Sequence, residues 1–251
     1  MSVEVPLYMV QLALVTPSLF EAARQRRLPI RDVDTGYLVH CRLMDLFGDA
    51  APKPFAVDDS RGRVITVVGY SRSDAPALTE TARHYALPDV YSSCRWPVFT
   101  KMMPNGWPTD HVLDFEVRLC PVMRVSSDTP THRAGSEVDV FLRMCSQRQT
   151  DATEGRLDRE QIYYEWLKRE LMRGGAATLL TGKMVNFRLA RLLRRRQGTD
   201  RTAALTTRPD VTIRGTLQID DSLAFSELLA RGIGRHRSFG FGMLRLTRPP
   251  R

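Results

Sequence analysis

Cysteine is scarce and scattered in this chain. Cys41, Cys94, Cys120 and Cys145 form no C-x-x-C pair, which excludes zinc ribbons and the dense disulfide frameworks of small secreted domains. Cys41 and Cys120 fall in apolar patterns and read as buried thiols. The five histidines show no metal-ligand spacing, so no metal or other cofactor is expected. No apolar run approaches the ~18 residues of a spanning helix, and no charged n-region precedes an apolar h-region. A cytoplasmic protein without a membrane partner is expected. Lysine is nearly absent as well, with four among the 37 basic residues.

What is present is arginine. Against 28 acidic residues the balance gives a net charge of +9 and a pI near 9.8, which calls for an acidic partner. Arginine favours nucleic acid over a membrane surface, because its planar fork grips phosphates bidentately and stacks on bases. A hydrophobic content of 43% is an ordinary globular value, and 251 residues suffice for two small domains.

Taken in order, Leu7 to Val15 reads as a buried strand and Leu19 to Arg27 as a short basic helix carrying Arg24 and Arg27. Tyr37 to Phe47 has an apolar stripe at helical spacing, with Tyr37 and His40 neighbours one turn apart. Pro54 to Asp58 and Val64 to Ser71 read as paired strands, Ala75 to Tyr85 as a helix and Val98 to Met103 as a strand. In Val112 to Val125, Leu113, Phe115, Val117 and Leu119 alternate with charged residues, the period of a half-exposed strand. The order is that of a ferredoxin-like βαββαβ unit, closed by the polar stretch Ser126 to Arg133. A second unit opens with Glu137 to Leu142 as a strand, followed by the helix Leu157 to Met172, a short strand or two within Ala176 to Val185, the strand Val211 to Ile219, the helix Ser222 to Arg231 and the strand Phe241 to Leu246. The predicted class is α+β, with tandem ferredoxin-like domains over 1–125 and 126–251.

Two segments of the second unit carry unusual chemistry. Asn186 to Gln197 holds five arginines in twelve residues and no acid. Arg188, Arg191 and Arg195 fall at i, i+3 and i+7, with Arg194 beside them, which predicts a basic helical insertion over about 186–209. RNA or DNA is its expected partner. The stretch 232–242 has four glycines in eleven residues: Gly232, Gly234, Gly240 and Gly242. Positive φ and close backbone approach, beside Arg235, His236, Arg237 and Ser238, suit a phosphate backbone. A bare glycine turn is the alternative. Because the segment follows a helix and leads into a strand, it is no dinucleotide fingerprint.

The run Leu223-Ala224-Phe225, Leu228 to Arg235 and Phe239 to Leu244 resembles the C-terminal signature of the CRISPR-associated repeat-RNA endonucleases. These belong to the RAMP superfamily of paired ferredoxin-like domains. The similarity is closest to the branch serving E-type Cascade complexes. Asp34 to Phe47 is similar to that branch's N-terminal helix, and Phe115 to Arg124 and Tyr164 to Ala176 fit as well. The arginine-dense segment also suits relatives in type IV systems, in which arginines can replace histidine in cleavage.

The resemblance implies a metal-independent endoribonuclease that cuts CRISPR repeat RNA at a stem-loop, leaves a 2′,3′-cyclic phosphate and stays with the crRNA hairpin as a subunit beside other effector-complex proteins. It places Tyr37 and His40 in the cleavage site. A histidine titrates in the range needed for acid or base; Tyr37 would orient the 2′-OH or phosphate, and Arg24, Arg27 or Arg42 would stabilise the phosphorane. His236 is the second histidine candidate. A non-catalytic RNA-binding scaffold subunit of the same fold is the alternative.

Overall fold

The first strand, β1 (Tyr8–Val15), buries Val10, Leu12 and Leu14 and exposes Gln11 between them, as expected of a strand with one face on a core. The chain is described by a computed structural model, for residues 5–28, 34–58, 62–128, 132–148, 157–195 and 203–247. After β1 come α1 (Thr16–Gln25), α2 (Gly36–Phe47), β2 (Phe55–Asp58), β3 (Val64–Ser71), α3 (Ala75–Tyr85), the short α4 (Pro88–Tyr91) and β4 (Cys94–Met102). Pro17 in the first turn of α1 costs no intrahelical bond. Asp74 caps α3 by accepting the Ala77 N–H at 2.9 Å. The strands form an antiparallel sheet in the order β2-β3-β1-β4.

The second sheet repeats this pattern. It is built from β5 (Val112–Leu119), β8 (Ala177–Arg195), β9 (Ala203–Ile219) and β10 (Leu244–Thr247) in the order β10-β5-β9-β8, which is the same βαββαβ winding. Between β5 and β8 lie β6 (Val122–Arg124), β7 (Glu137–Asp139), α5 (Val140–Arg148) and α6 (Arg159–Met172), and α7 (Ser222–Arg231) precedes β10. The fold is α+β with two ferredoxin-like units.

Four expectations need correction. The strand Val112–Leu119 does not close the first unit: it pairs with Val211–Gln218 of β9 and with Leu244–Thr247 of β10. Period-two alternation marks a half-buried strand but not the sheet it joins. The fourth place of the first sheet belongs to β4, so the units divide within 103–111 rather than at 125/126. The polar stretch 126–133, whose residues 129–131 lie outside the described ones, joins β6 to β7, with the Gly135 N–H donating to Val125 O at 2.7 Å. The predicted strand Glu137–Leu142 stops at Asp139, whose carboxylate accepts the Phe141 N–H at 2.8 Å and so starts α5.

The largest departure is the arginine-rich segment. Residues 186–195 are strand, not helix, and extend β8 into a long hairpin in which Arg188 faces Asp210 and Arg191 faces Thr207. Arginine spacing alone suits either structure, and tertiary contact decides. Consecutive leucines are buried on opposite faces: Leu192 packs with Cys120, Val122 and Phe241, while Leu193 packs with Ala23, Leu28 and Leu38 of the first unit. A strand has two such faces 180° apart. Arg196 and residues 197–202 lie outside the described residues, as do the side chains of Arg194 and Arg195.

The units share apolar packing. Leu7, Ala56 and Tyr70 of the first join the core of the second, and the Tyr70 hydroxyl donates to Leu244 O at 2.9 Å. Burial pushes that phenol up, so it remains a donor. The connecting segment is fastened by the Trp107 N–H, which donates to Ser222 Oγ at 2.7 Å, and by the Trp107 ring against Phe225.

Candidate active site and nucleic-acid interface

Helix α2 turns its apolar stripe, Val39, Leu43, Leu46 and Phe47, into the first core. Tyr37 and His40 face elsewhere, with ring centroids 6.5 Å apart. Against both lies Phe239 of the glycine-rich segment, 5.6 Å from Tyr37 and 5.7 Å from His40. The His236 ring stacks on Phe239 at 6.0 Å. The two stretches singled out from sequence therefore meet, one from each unit.

His40 is half-buried, and burial together with the positive charge of Lys53 lowers its pKa below 6.5. The imidazole is neutral at pH 7 and can accept a proton. Lys53 also lines the adjoining cleft.

The four glycines serve mainly to bring protein segments together. A β-carbon on Gly232 would lie 2.8 Å from Pro54 and 2.9 Å from Gly242 O, and one on Gly234 would lie 2.7 Å from the Trp166 ring. All four have positive φ, as does His236 at 60°. The Ile233 N–H donates to Gly242 O and the Gly242 N–H to Arg118 O. At Gly232, Gly234 and Gly242 the room a side chain would need is taken up by the chain's own backbone and side chains.

Charge beside this loop is organised around Glu137. Its carboxylate accepts from His236 Nε2 at 2.9 Å and Arg235 Nε at 2.8 Å, with Arg208 at 3.6 Å. The hydrogen bond from His236, followed by its charge and the Arg235 contact, overcomes burial and lowers the Glu137 pKa to about 2. Arg237 donates to Arg231 O at 2.6 Å. Burial, with Arg231 and Arg235 nearby, lowers the pKa of Arg237. The loop borders a cleft of about 760 Å³ lined by six cations, Lys53, Arg124, Arg169, Arg173, Arg235 and Arg237, against the carboxylates of Glu137 and Glu170. Ser238 and Phe239 also line it. Gly240 lies nearby, with Phe55 and Arg118 as neighbours. Lys53, Arg124, Arg169, Arg173 and Glu137 were not singled out from sequence, since they come from four separated segments and carry no common motif. Phe239 stood inside the signature without a role.

The other arginine candidates do not line this cleft. Arg42 is buried, donates to Ser18 O at 3.1 Å and joins α2 to α1; burial lowers its pKa. Arg24 is exposed and pairs with Glu21 at 3.1 Å. Arg24 and Arg42 border a separate hollow of about 940 Å³ in the first unit. Arg27, exposed, has φ 51° just beyond α1. On the hairpin, Arg191 is exposed, whereas Arg188 is engaged by Asp210 and Asp34.

Among the described residues, no group of three or more His, Cys, Asp or Glu side chains could hold a metal, and no helix is long and apolar enough to cross a membrane. What the site offers is a neutral imidazole and a phenol at the edge of a cationic cleft.

The CRISPR endoribonuclease Cse3 bound to a 19-nucleotide RNA superposes with a TM-score of 0.62 at 19% identity over 97% of this chain and 100% of that one. Cas6e from Escherichia coli K-12 gives 0.54 at 17% identity over 96% and 100%. A chain of a CRISPR RNA-guided surveillance complex gives 0.53 at 16% identity over 96% and 100%. At these identities the likeness is one of fold. No curated protein matches the sequence. The sequence profile of the CRISPR associated protein family matches residues 7–248, and the chain belongs to that family.

Proposed function

We propose that the chain is a metal-independent endoribonuclease that cuts CRISPR repeat RNA at a stem-loop and keeps the product as a subunit of an effector complex. The observation that carries this reading is Phe239, in ring contact with Tyr37, His40 and His236 while lining the cationic cleft. Helical RNA hides its bases in a deep, narrow groove and presents phosphates, for which six cations around one cleft are suited. The similar chains described as a CRISPR endoribonuclease bound to RNA and as part of an RNA-guided surveillance complex support the substrate class and the assembly.

The chemistry follows from the groups present. Neutral His40 takes the proton of the 2′-OH beside the scissile phosphate. The 2′-oxygen attacks phosphorus, the P–O5′ bond breaks, and the departing oxygen takes up a proton from water. The products are a 2′,3′-cyclic phosphate and a 5′-hydroxyl end. Tyr37, one turn away, orients the 2′-OH or the phosphate, and Lys53 stabilises the added negative charge of the phosphorane. Arg191 and the cleft arginines hold the stem.

Incubating the chain with a repeat stem-loop RNA in EDTA tests the reading. A single cut at the 3′ side of the stem, abolished by a 2′-deoxy substitution at the scissile nucleotide and by His40→Ala, is expected. Tight binding without a cut would assign the chain to the scaffold role instead.

A further inference from the structure

Just ahead of α2, Asp34 belongs to an ion cluster joining the two units. Its side chain is 4% exposed and that of Asp210 is 1% exposed. Arg118 of β5 donates Nε to Asp210 Oδ1 at 2.8 Å and an NH2 group to both Asp210 Oδ2 and Asp34 Oδ2. Arg188 of the hairpin donates Nε to Asp210 at 2.7 Å and approaches Asp34 Oδ2 at 3.4 Å. The other Asp34 oxygen accepts the Gly36 N–H at 2.9 Å, and the Asp34 N–H donates to Arg191 O at 3.0 Å.

These bonds of Asp34 therefore all act on the start of α2 or on the second unit, three residues before Tyr37 and six before His40. A buried ion cluster of this kind costs desolvation and contributes little net stability compared with apolar packing. What it does supply is directionality. Bidentate guanidinium–carboxylate pairs fix relative orientation, and in this cluster they fix the helix bearing Tyr37 and His40 against the second sheet, which belongs to the unit that supplies most of the cleft lining. Arg188 is 57% exposed, so the hairpin that ties Asp34 also presents a charged surface.

We propose that Asp34 is a positioning residue for cleavage: through Arg118 and Arg188 it sets α2 so that Tyr37 and His40 meet the phosphate of an RNA held by the second unit. This rests on the endoribonuclease reading above. The Asp34 side chain is buried and does not line the cationic cleft.

The test uses the full chain, a repeat stem-loop RNA for single-turnover cleavage and its 2′-deoxy analogue for affinity. Asp34→Asn keeps the volume and an acceptor for the Gly36 N–H while removing the charge; Asp34→Ala removes both. Misplacement by an ångström can cost on the order of 100-fold in rate. The cleavage rate at saturating RNA is accordingly expected to fall roughly 10-fold in D34N and further in D34A. Affinity for the 2′-deoxy analogue should stay within about threefold, and the pH of half-maximal rate should be unchanged, because His40 keeps its protonation behaviour. If the wild-type chain cuts RNA and D34N cuts as fast at saturating RNA, or loses only affinity, the positioning role is overturned while the enzyme reading stands. If the wild-type chain does not cut, the enzyme reading falls and the role falls with it. Should D34A fail to fold, the folded D34N decides.

Discussion

Gly36 lies directly against the Phe239 carbonyl: a β-carbon on Gly36 would sit 2.0 Å from that oxygen. The first residue of α2 and the glycine-rich segment are thus docked backbone to backbone across the two units. Since Tyr37 follows at once and His40 lies one turn on, this contact sets where the candidate catalytic side chains stand.

Gly36→Ala is expected to force the two backbones apart. Overpacking of this kind costs about 1–3 kcal/mol, and relief by moving α2 would shift Tyr37 and His40 off the cleft. Thermal melting should fall by several degrees, and cleavage of the stem-loop RNA should fall by more than the reduced stability explains. A variant with wild-type rate and melting would show that α2 and the glycine-rich segment can separate without cost.

Lys53 offers a pH test of His40. Burial first, and Lys53 second, lower the His40 pKa, so the base form persists to lower pH than in an ordinary histidine. Lys53→Met removes one repulsive charge and should raise that pKa. At saturating RNA the acid limb of the rate profile is then expected to move to higher pH. If His40 acted as the acid instead, the dependence would appear as an alkaline fall in rate.

The cleft arginines set the salt dependence of binding. Each phosphate deprived of its arginine should flatten the slope of log affinity against log salt by roughly 0.7–0.9. Replacing Arg124, Arg169 and Arg173 together by alanine is expected to reduce the slope by roughly 2–3, with cleavage at saturating RNA nearly retained. A filter-binding series across salt concentrations measures it. An unchanged slope would remove the stem from this cleft.

Glu137 makes acid stability measurable. Its pKa falls from 4.5 unfolded to about 2 folded. The stabilisation is therefore complete above pH 4.5 and lost as the pH drops through the folded value. Glu137→Gln should melt lower at neutral pH and lose less than wild type between pH 4.5 and 2. Parallel melting curves for the two proteins over that window would contradict the clamp by His236 and Arg235.

Legibility from sequence followed physical range. The apolar residues Leu38, Cys41, Leu43/Met44 and Leu46/Phe47 at helical spacing identified α2 because helix amphipathicity is local. The β2–β3 strands and α3 were equally local. The hairpin was not: Arg188, Arg191 and Arg195 satisfy a helical spacing, and only the pairing with 203–219, the burial of Leu192 and Leu193 on opposite faces and the Arg188–Asp210 pair make it strand. Lys53, Arg169 and Arg173 lie far from the glycine segment in sequence and meet it only after folding. The Asp34–Arg118–Asp210–Arg188 cluster drew on four separate segments and left no local mark.

By itself the sequence determined that the chain is arginine-rich and basic, that it alternates strands and helices in a repeated order, and that Tyr37, His40 and a glycine-dense segment stand out. Each of these depends on composition or on neighbours within a turn or two. Tertiary structure alone decided that β5 opens the second sheet, that the arginine-rich segment is a hairpin, and that Gly232 and Gly240 abut the first unit while Gly234 and Gly242 pack within the second. Those outcomes depend on strand partners and backbone approaches between residues distant in the chain, and short-range periodicity carries no information about them.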